Sequence, residues 1–168
     1  MMSIEAAALF LLALIGPCAY AAWSDLNRMT IPNGVVLICL AIFVALGPFL
    51  LPVNDYLWRF VPALVVLAAG FLLNLTGQFG AGDAKFAAAL VLFVDPVDHF
   101  TVLWIYALLA LVSVALVFAV KRLAPRFAEA SGYKSLQDRR TFPLGLPLAL
   151  TILVYLALVI RHQWLIGG

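Results

Sequence analysis

Charge is what this sequence has least of. Ten Lys and Arg and eight Asp and Glu make up 11% of its 168 residues, where an ordinary soluble domain has roughly a quarter. So few charges cannot clothe a water-facing surface, which excludes a soluble globular domain. Cysteine is equally scarce. Cys18 and Cys39 both sit inside apolar stretches and neither belongs to a Cys-x-x-Cys pair, which excludes a disulfide framework and a zinc ribbon. Both read as small apolar side chains. No internal repeat, low-complexity tract or interrupting soluble domain is present. Nothing points to a metal or cofactor, and the net charge of +2 reflects topology and adhesion to anionic lipid rather than affinity for nucleic acid.

What the chain has in excess is apolar length. It is 66% hydrophobic, with a mean hydropathy of +1.13. A transmembrane helix needs about 20 mostly apolar residues, and residues 4–23, 35–51, 57–75, 100–120 and 142–160 supply five such runs. A sixth, residues 82–97, is shorter and carries Asp83 and Lys85 at its start. The expected fold is therefore all-α, a polytopic membrane protein of six transmembrane helices forming one domain over residues 1–168. The first run has the small-x-small triplet Ala19-Tyr20-Ala21, which resembles a signal cleavage site. The residues ahead of it hold Glu5 and no Lys or Arg, the wrong sign for a signal peptide, so it is read as the first helix.

With six spans the basic residues sort by side. Arg28, Lys85, Lys121, Arg122, Arg126, Lys134, Arg139 and Arg140 fall on one face, and Arg59 and Arg161 on the other. The positive-inside rule makes the first face cytoplasmic and puts both termini outside. Glu5, Asp55, Asp95 and Asp98 lie outside; Asp25 and Asp83 lie inside. The mixed-charge segment 121–141 reads as a solvated connection.

Ionisable groups at membrane depth are costly and invite a functional reading. Asp25 lies in Ser24-Asp25-Leu26-Asn27-Arg28, a polar turn before Ile31-Pro32-Asn33, where Pro32 and Asn33 start the second helix. Alone, it could simply cap or pair with Arg28. Asp83 lies in Gly80-Ala81-Gly82-Asp83-Ala84-Lys85, where glycines permit close approach of another backbone; the competing role is a helix N-cap. Lys85 could orient a carboxylate or snorkel to the lipid surface. Asn74 could line the same cavity or serve a helix-to-helix hydrogen bond. Two carboxylates on one membrane face can share a proton. That arrangement suits water activation by an aspartic protease, and equally a small proton- or cation-coupled transporter.

Together these motifs resemble the type IV prepilin and preflagellin peptidases, aspartic membrane proteases, and within them the short branch serving Flp-type pili of tight-adherence systems. The resemblance rests on Ser24-Asp25 with Ile31-Pro32-Asn33 downstream, on Gly80-x-Gly82-Asp83-x-Lys85, and on the six spans. It implies a bacterial inner-membrane endopeptidase with Asp25 and Asp83 as catalytic dyad at the cytoplasmic edge. Ser24, Asn33, Gly80, Gly82 and Lys85 would support the motifs, the glycines admitting substrate backbone. The partners implied are a prepilin substrate, the bilayer and the pilus-assembly machinery, with no cofactor. Longer members carry paired Cys-x-x-Cys motifs and also methylate the product, an activity not carried over here. Near the last span, relatives show a Pro-x-Gly-x-Ala-Ile-like stretch where this chain has Pro143-Leu144-Gly145-Leu146-Pro147-Leu148-Ala149, and the extra Pro147 is expected to kink that helix.

Overall fold

The computed structural model describes residues 2–76, 80–123, 132–133, 135 and 142–167. The described residues form α1 (Ile4–Arg28), α2 (Asn33–Leu50), a short α3 (Val53–Trp58), α4 (Phe60–Leu75), α5 (Ala81–Val91), a 3-10 turn (Pro96–Asp98), α6 (His99–Leu123) and α7 (Gly145–Gly167). No strand occurs among them, and the protein is an all-α polytopic membrane protein. Five stretches are long and apolar enough to cross a membrane: Ile4–Arg28, Asn33–Leu50, Val53–Leu75, Pro96–Leu123 and Gly145–Leu165. The sixth membrane helix, α5, has 11 residues, about 16 Å at 1.5 Å per residue, roughly half the hydrocarbon thickness. Its chain continues through a buried turn, with Leu92, Phe93 and Val94 each at most 1% exposed. Most of the 121–141 segment lies outside the described residues.

Lipid-facing surfaces and the core divide as the helical period demands. On α1 the buried side chains Ala7, Phe10, Leu14, Cys18, Ala21 and Asp25 recur every three or four residues, while Leu9, Leu12 and Ile15 face outward. That stripe packs along α7, the most extensive helix pair among the described residues. The two helices are antiparallel: Gln163 of α7 donates to the Met2 carbonyl at one end, and the Gly145 amide meets Asp25 at the other. Both described ends of the chain therefore lie opposite Asp25. Cys18 and Cys39 are free and buried in this core, as expected of small apolar side chains.

At the end away from Asp25 the core is aromatic. The Phe43 ring meets Phe10, Tyr56, Phe60 and Phe93 at centroid distances of 5.2–6.2 Å. Gly47 leaves the room this needs, since a Cβ there would lie 2.7 Å from Tyr56. Beside the cluster, Arg59 interrupts the third span between α3 and α4. Its side chain turns inward, 1% exposed, hydrogen-bonds the Leu92 carbonyl at 3.2 Å and lies 3.8 Å from Asp95. Tyr155 of α7 completes the network: its hydroxyl accepts from the Asp95 amide at 3.0 Å and donates to Asp98 at 2.9 Å. The sequence placed Arg59 only by side, on the outer face; in the structure it is a buried polar tie to the turn that follows the short α5.

Candidate active site

Four chain segments converge at the opposite end. Asp25 is not in a turn, as its polar neighbours suggested, but in the last turn of α1, because the helix continues to Arg28. It extends the buried stripe and is 4% exposed. Met29, at φ 57°, caps the helix by donating its N–H to the Asp25 carbonyl at 2.9 Å. The buried Ser24 hydroxyl donates to the Thr30 carbonyl at 2.8 Å, tying down the reversal that leads through Ile31 to Pro32, the N-cap of α2. Ser24 is thus a tie beneath Asp25, and Arg28 turns away to lie 5.8 Å over the Trp23 ring.

The Asp25 side chain points at the first turn of α7. Its Oδ2 accepts the Gly145 N–H at 2.7 Å. Such amides have no partner within their own helix. Glycine at 145 leaves this approach uncrowded, since a Cβ would lie 2.8 Å from Ile31 Cδ1, 3.0 Å from Asp25 Oδ2 and 3.1 Å from Asp25 Cβ. Pro147 does not kink this helix. It is the third residue of α7, where the lost N–H has no helical partner anyway, and the helix runs on to Gly167.

Asp83 arrives from α5. Gly80 is the N-cap, at φ −71° and ψ 134°, so Asp83 stands at the third helical position rather than at the cap, and its carboxylate folds back to accept the Gly80 amide. This is the acidic half of a capping box. A Cβ on Gly80 would lie 2.5 Å from Asp83 Oδ2, whereas one on Gly82 would touch the Ile31 backbone at an ordinary 3.4 Å. The close approaches these glycines permit are therefore to groups of the same chain. Ile31 sits between Gly82 and Gly145 and spaces α5 from α7.

The two acids feel each other. Asp83, outside the five spanning stretches, is pushed up from 3.8 to about 6, first by burial and then by the Asp25 charge, against the opposing Gly80 hydrogen bond. Tyr106 of α6 lies within electrostatic reach of Asp83 and borders an apolar cleft of about 200 Å³ lined also by Val66, Leu90, Leu148 and Thr151. Lys85 does not reach the acids; its exposed Nζ donates to Asn33 Oδ1 at 3.3 Å, joining α5 to the start of α2. Asn74 is half-buried in the last turn of α4. No cluster of three or more His, Cys, Asp or Glu that could hold a metal ion occurs among the described residues.

Of the residues singled out in the sequence, Asp25 and Asp83 come together, with Ser24, Gly80 and Gly82 supporting them, while Asn33 and Lys85 form a separate bridge at the same end. Ile31 of the first motif spaces the helices, and Tyr106 and the Gly145 amide are additions. The last had a signal: Gly145 and Pro147 open an apolar run as residues of a helix start.

The helical membrane bundle holds two interacting carboxylates at one end, Asp25 buried and Asp83 half-buried. A sequence profile of the type IV leader peptidase family matches residues 9–120, and the chain belongs to that family. It is thereby a protease, with a prepilin-like protein as the class of substrate. No curated protein and no solved structure matches the chain.

Proposed function

We propose that this protein is an aspartic endopeptidase that removes the leader of type IV prepilins of the Flp class, with Asp25 and Asp83 as its catalytic dyad at the cytoplasmic membrane face. The observation that carries this is the pair itself: two acids distant in sequence, Asp25 buried and Asp83 half-buried, close enough that the charge of one bears on the proton of the other. Like charges at short range resist double ionisation, so one member keeps a proton while the other stays charged. The charged carboxylate takes a proton from water as the water oxygen bonds to the scissile carbonyl carbon. The protonated one gives its proton to the carbonyl oxygen. When the intermediate collapses, the carbon–nitrogen bond breaks and the first carboxyl's proton goes to the departing amine.

Arg28, Lys85, Lys121 and Arg122 lie at the same end of the bundle as the acids, which supports a cytoplasmic orientation. The apolar cleft beside Tyr106 would receive the hydrophobic segment that follows a prepilin cleavage site. The test is cleavage of a prepilin by purified protein carrying Asp25→Asn or Asp83→Asn, each checked for folding. Either change should abolish cleavage nearly completely, because residues acting as one unit are non-additive. Full cleavage by either variant would rule the dyad out, and ion-dependent flux through liposomes without a peptide product would favour transport.

A further inference from the structure

We infer that Ile31 is a positioning residue that sets the separation of the two acids: wedged between the first turns of α5 and α7, it fixes how closely the helix carrying Asp83 approaches the helix end holding Asp25. The inference rests on the proposed dyad and deepens it, because two carboxylates that activate one water tolerate little error in their spacing.

The contacts form an unbroken path from one acid to the other. Asp83 directly follows Gly82, and the three atoms nearest to a Cβ built on Gly82 would all belong to Ile31: its carbonyl oxygen at 3.4 Å, and its Cβ and nitrogen at 3.6 Å. The tip of the same side chain reaches α7, where Ile31 Cδ1 would lie 2.8 Å from a Cβ on Gly145. The Gly145 amide in turn holds Asp25 Oδ2 at 2.7 Å. Thus α5 rests on the backbone of Ile31 and α7 on its side chain. Both helices present glycine at the contact, so the width of Ile31 alone sets the gap between them.

The wedge is mounted on α1 itself. The Ser24 hydroxyl holds the Thr30 carbonyl at 2.8 Å and the Met29 N–H closes on the Asp25 carbonyl at 2.9 Å, while Pro32, at φ −64°, stiffens the chain on the far side. Ile31 is 7% exposed, and its β-branched side chain is stiff at χ1. Asp25 and the wedge therefore form one rigid piece, to which α5 and α7 are both referred. Truncating the side chain leaves a gap that the surrounding structure closes in part. The first turns of α5 and α7 then draw together, and the carboxylates with them.

Ile31→Val removes Cδ1 alone, Ile31→Ala removes most of the side chain, and Ile31→Leu keeps its volume. Since a misplacement of about 1 Å can cost on the order of 100-fold in rate, kcat for a prepilin should fall roughly tenfold in Ile31→Val and roughly 100-fold in Ile31→Ala. KM should stay within about threefold in both, and Ile31→Leu should stay within about threefold in kcat as well. A thermal melt of each variant measures its folded fraction. Infrared difference spectra of the substrate-free protein follow the Asp83 carboxyl without any cleavage. Its titration should move up by about half a pH unit in Ile31→Val, because like charges brought closer hold the proton more firmly. Lys85 and Arg28, the cations beside the acids in sequence, are engaged by Asn33 and the Trp23 ring, so the shift reports on Asp25. An unmoved titration, with kcat falling only as far as the folded fraction falls, would reduce Ile31 to core packing and overturn the inference. A raised KM with kcat unchanged would overturn it too, by making Ile31 a substrate contact. Cleavage surviving in Asp25→Asn or Asp83→Asn would sink the protease reading, whereas parent-like titration and kcat in Ile31→Ala beside inactive Asp variants would sink only the spacing role.

Discussion

Gly80 and Gly82 are two residues apart in one motif, yet the structure gives them opposite sensitivities to the same small substitution. In Gly80→Ala the new Cβ falls 2.5 Å from Asp83 Oδ2. Restoring a 3.4 Å contact moves that oxygen by about 0.9 Å, and a displacement of about 1 Å of a reacting group can cost on the order of 100-fold in rate. The backbone bears little of this, because φ −71° and ψ 134° suit alanine; losing glycine at an N-cap should cost the fold no more than about 1 kcal/mol. In Gly82→Ala the Cβ meets the Ile31 carbonyl at 3.4 Å, and alanine is favoured over glycine inside a helix by up to about 1 kcal/mol. The assay is steady-state cleavage of a prepilin in detergent or liposomes, beside a thermal melt of each variant. Gly80→Ala should lose roughly 100-fold in kcat/KM with a near-normal melt, and Gly82→Ala should stay within a few-fold of the parent on both counts. Equal losses, or an unimpaired Gly80→Ala, would refute the argument that Gly80 exists to seat the Asp83 carboxylate.

Other expectations follow from the same contacts. Because the Asp83 proton is held up to about 6, and the dyad needs that proton, kcat/KM should fall as pH rises above that value, approaching tenfold per unit; a flat profile from there into the alkaline range would contradict it. Arg59→Met removes the partner of buried Asp95 and should destabilise the protein by about 3–5 kcal/mol, read from a denaturation midpoint, with the loss much reduced when Asp95→Asn is added. Ser24→Ala breaks the hydrogen bond to the Thr30 carbonyl and should cost about 1 kcal/mol, again by denaturation. Lys85→Met loses only an exposed link to Asn33 and should leave kcat within about threefold, as suits a surface contact worth under about 1 kcal/mol; a loss like that of the Asp variants would show Lys85 acting on the dyad.

The membrane fold was legible because bilayer thickness imposes a length on apolar runs that little else imposes. Starts and ends were less so. Residues 24–28 are polar, and polarity reads as a turn, yet α1 runs through them: a helix leaving the hydrocarbon can carry Ser24, Asn27 and Arg28 while its buried stripe ends in Asp25. The start at Phe142 fell three residues early because Phe142 and Pro143 are apolar but not helical, and helix begins only at Gly145. The break in the third span was invisible in hydropathy. A single Arg59 among apolar residues gives no hint of its partners, the Leu92 carbonyl and Asp95, which lie in the turn after α5.

For the site, what was visible depended on which kind of group does the holding. Asp25 and Asp83 stand out because an acid beside an apolar run is conspicuous by residue type, and Ser24, Gly80 and Gly82 stand out beside them. The group that holds the Asp25 carboxylate is a backbone amide 120 residues further on, outside the 9–120 stretch that the family profile matches. An amide is present at nearly every residue, so its use leaves no side-chain signature. Its one trace is steric: a Cβ at position 145 would crowd Asp25 and Ile31. Two of the glycines at this end of the bundle, Gly80 and Gly145, therefore mark where a carboxylate presses against backbone. By that logic a Cβ at 145 should be better tolerated where the residue at 31 has become smaller, because its tightest contact, at 2.8 Å, is with the Ile31 side chain.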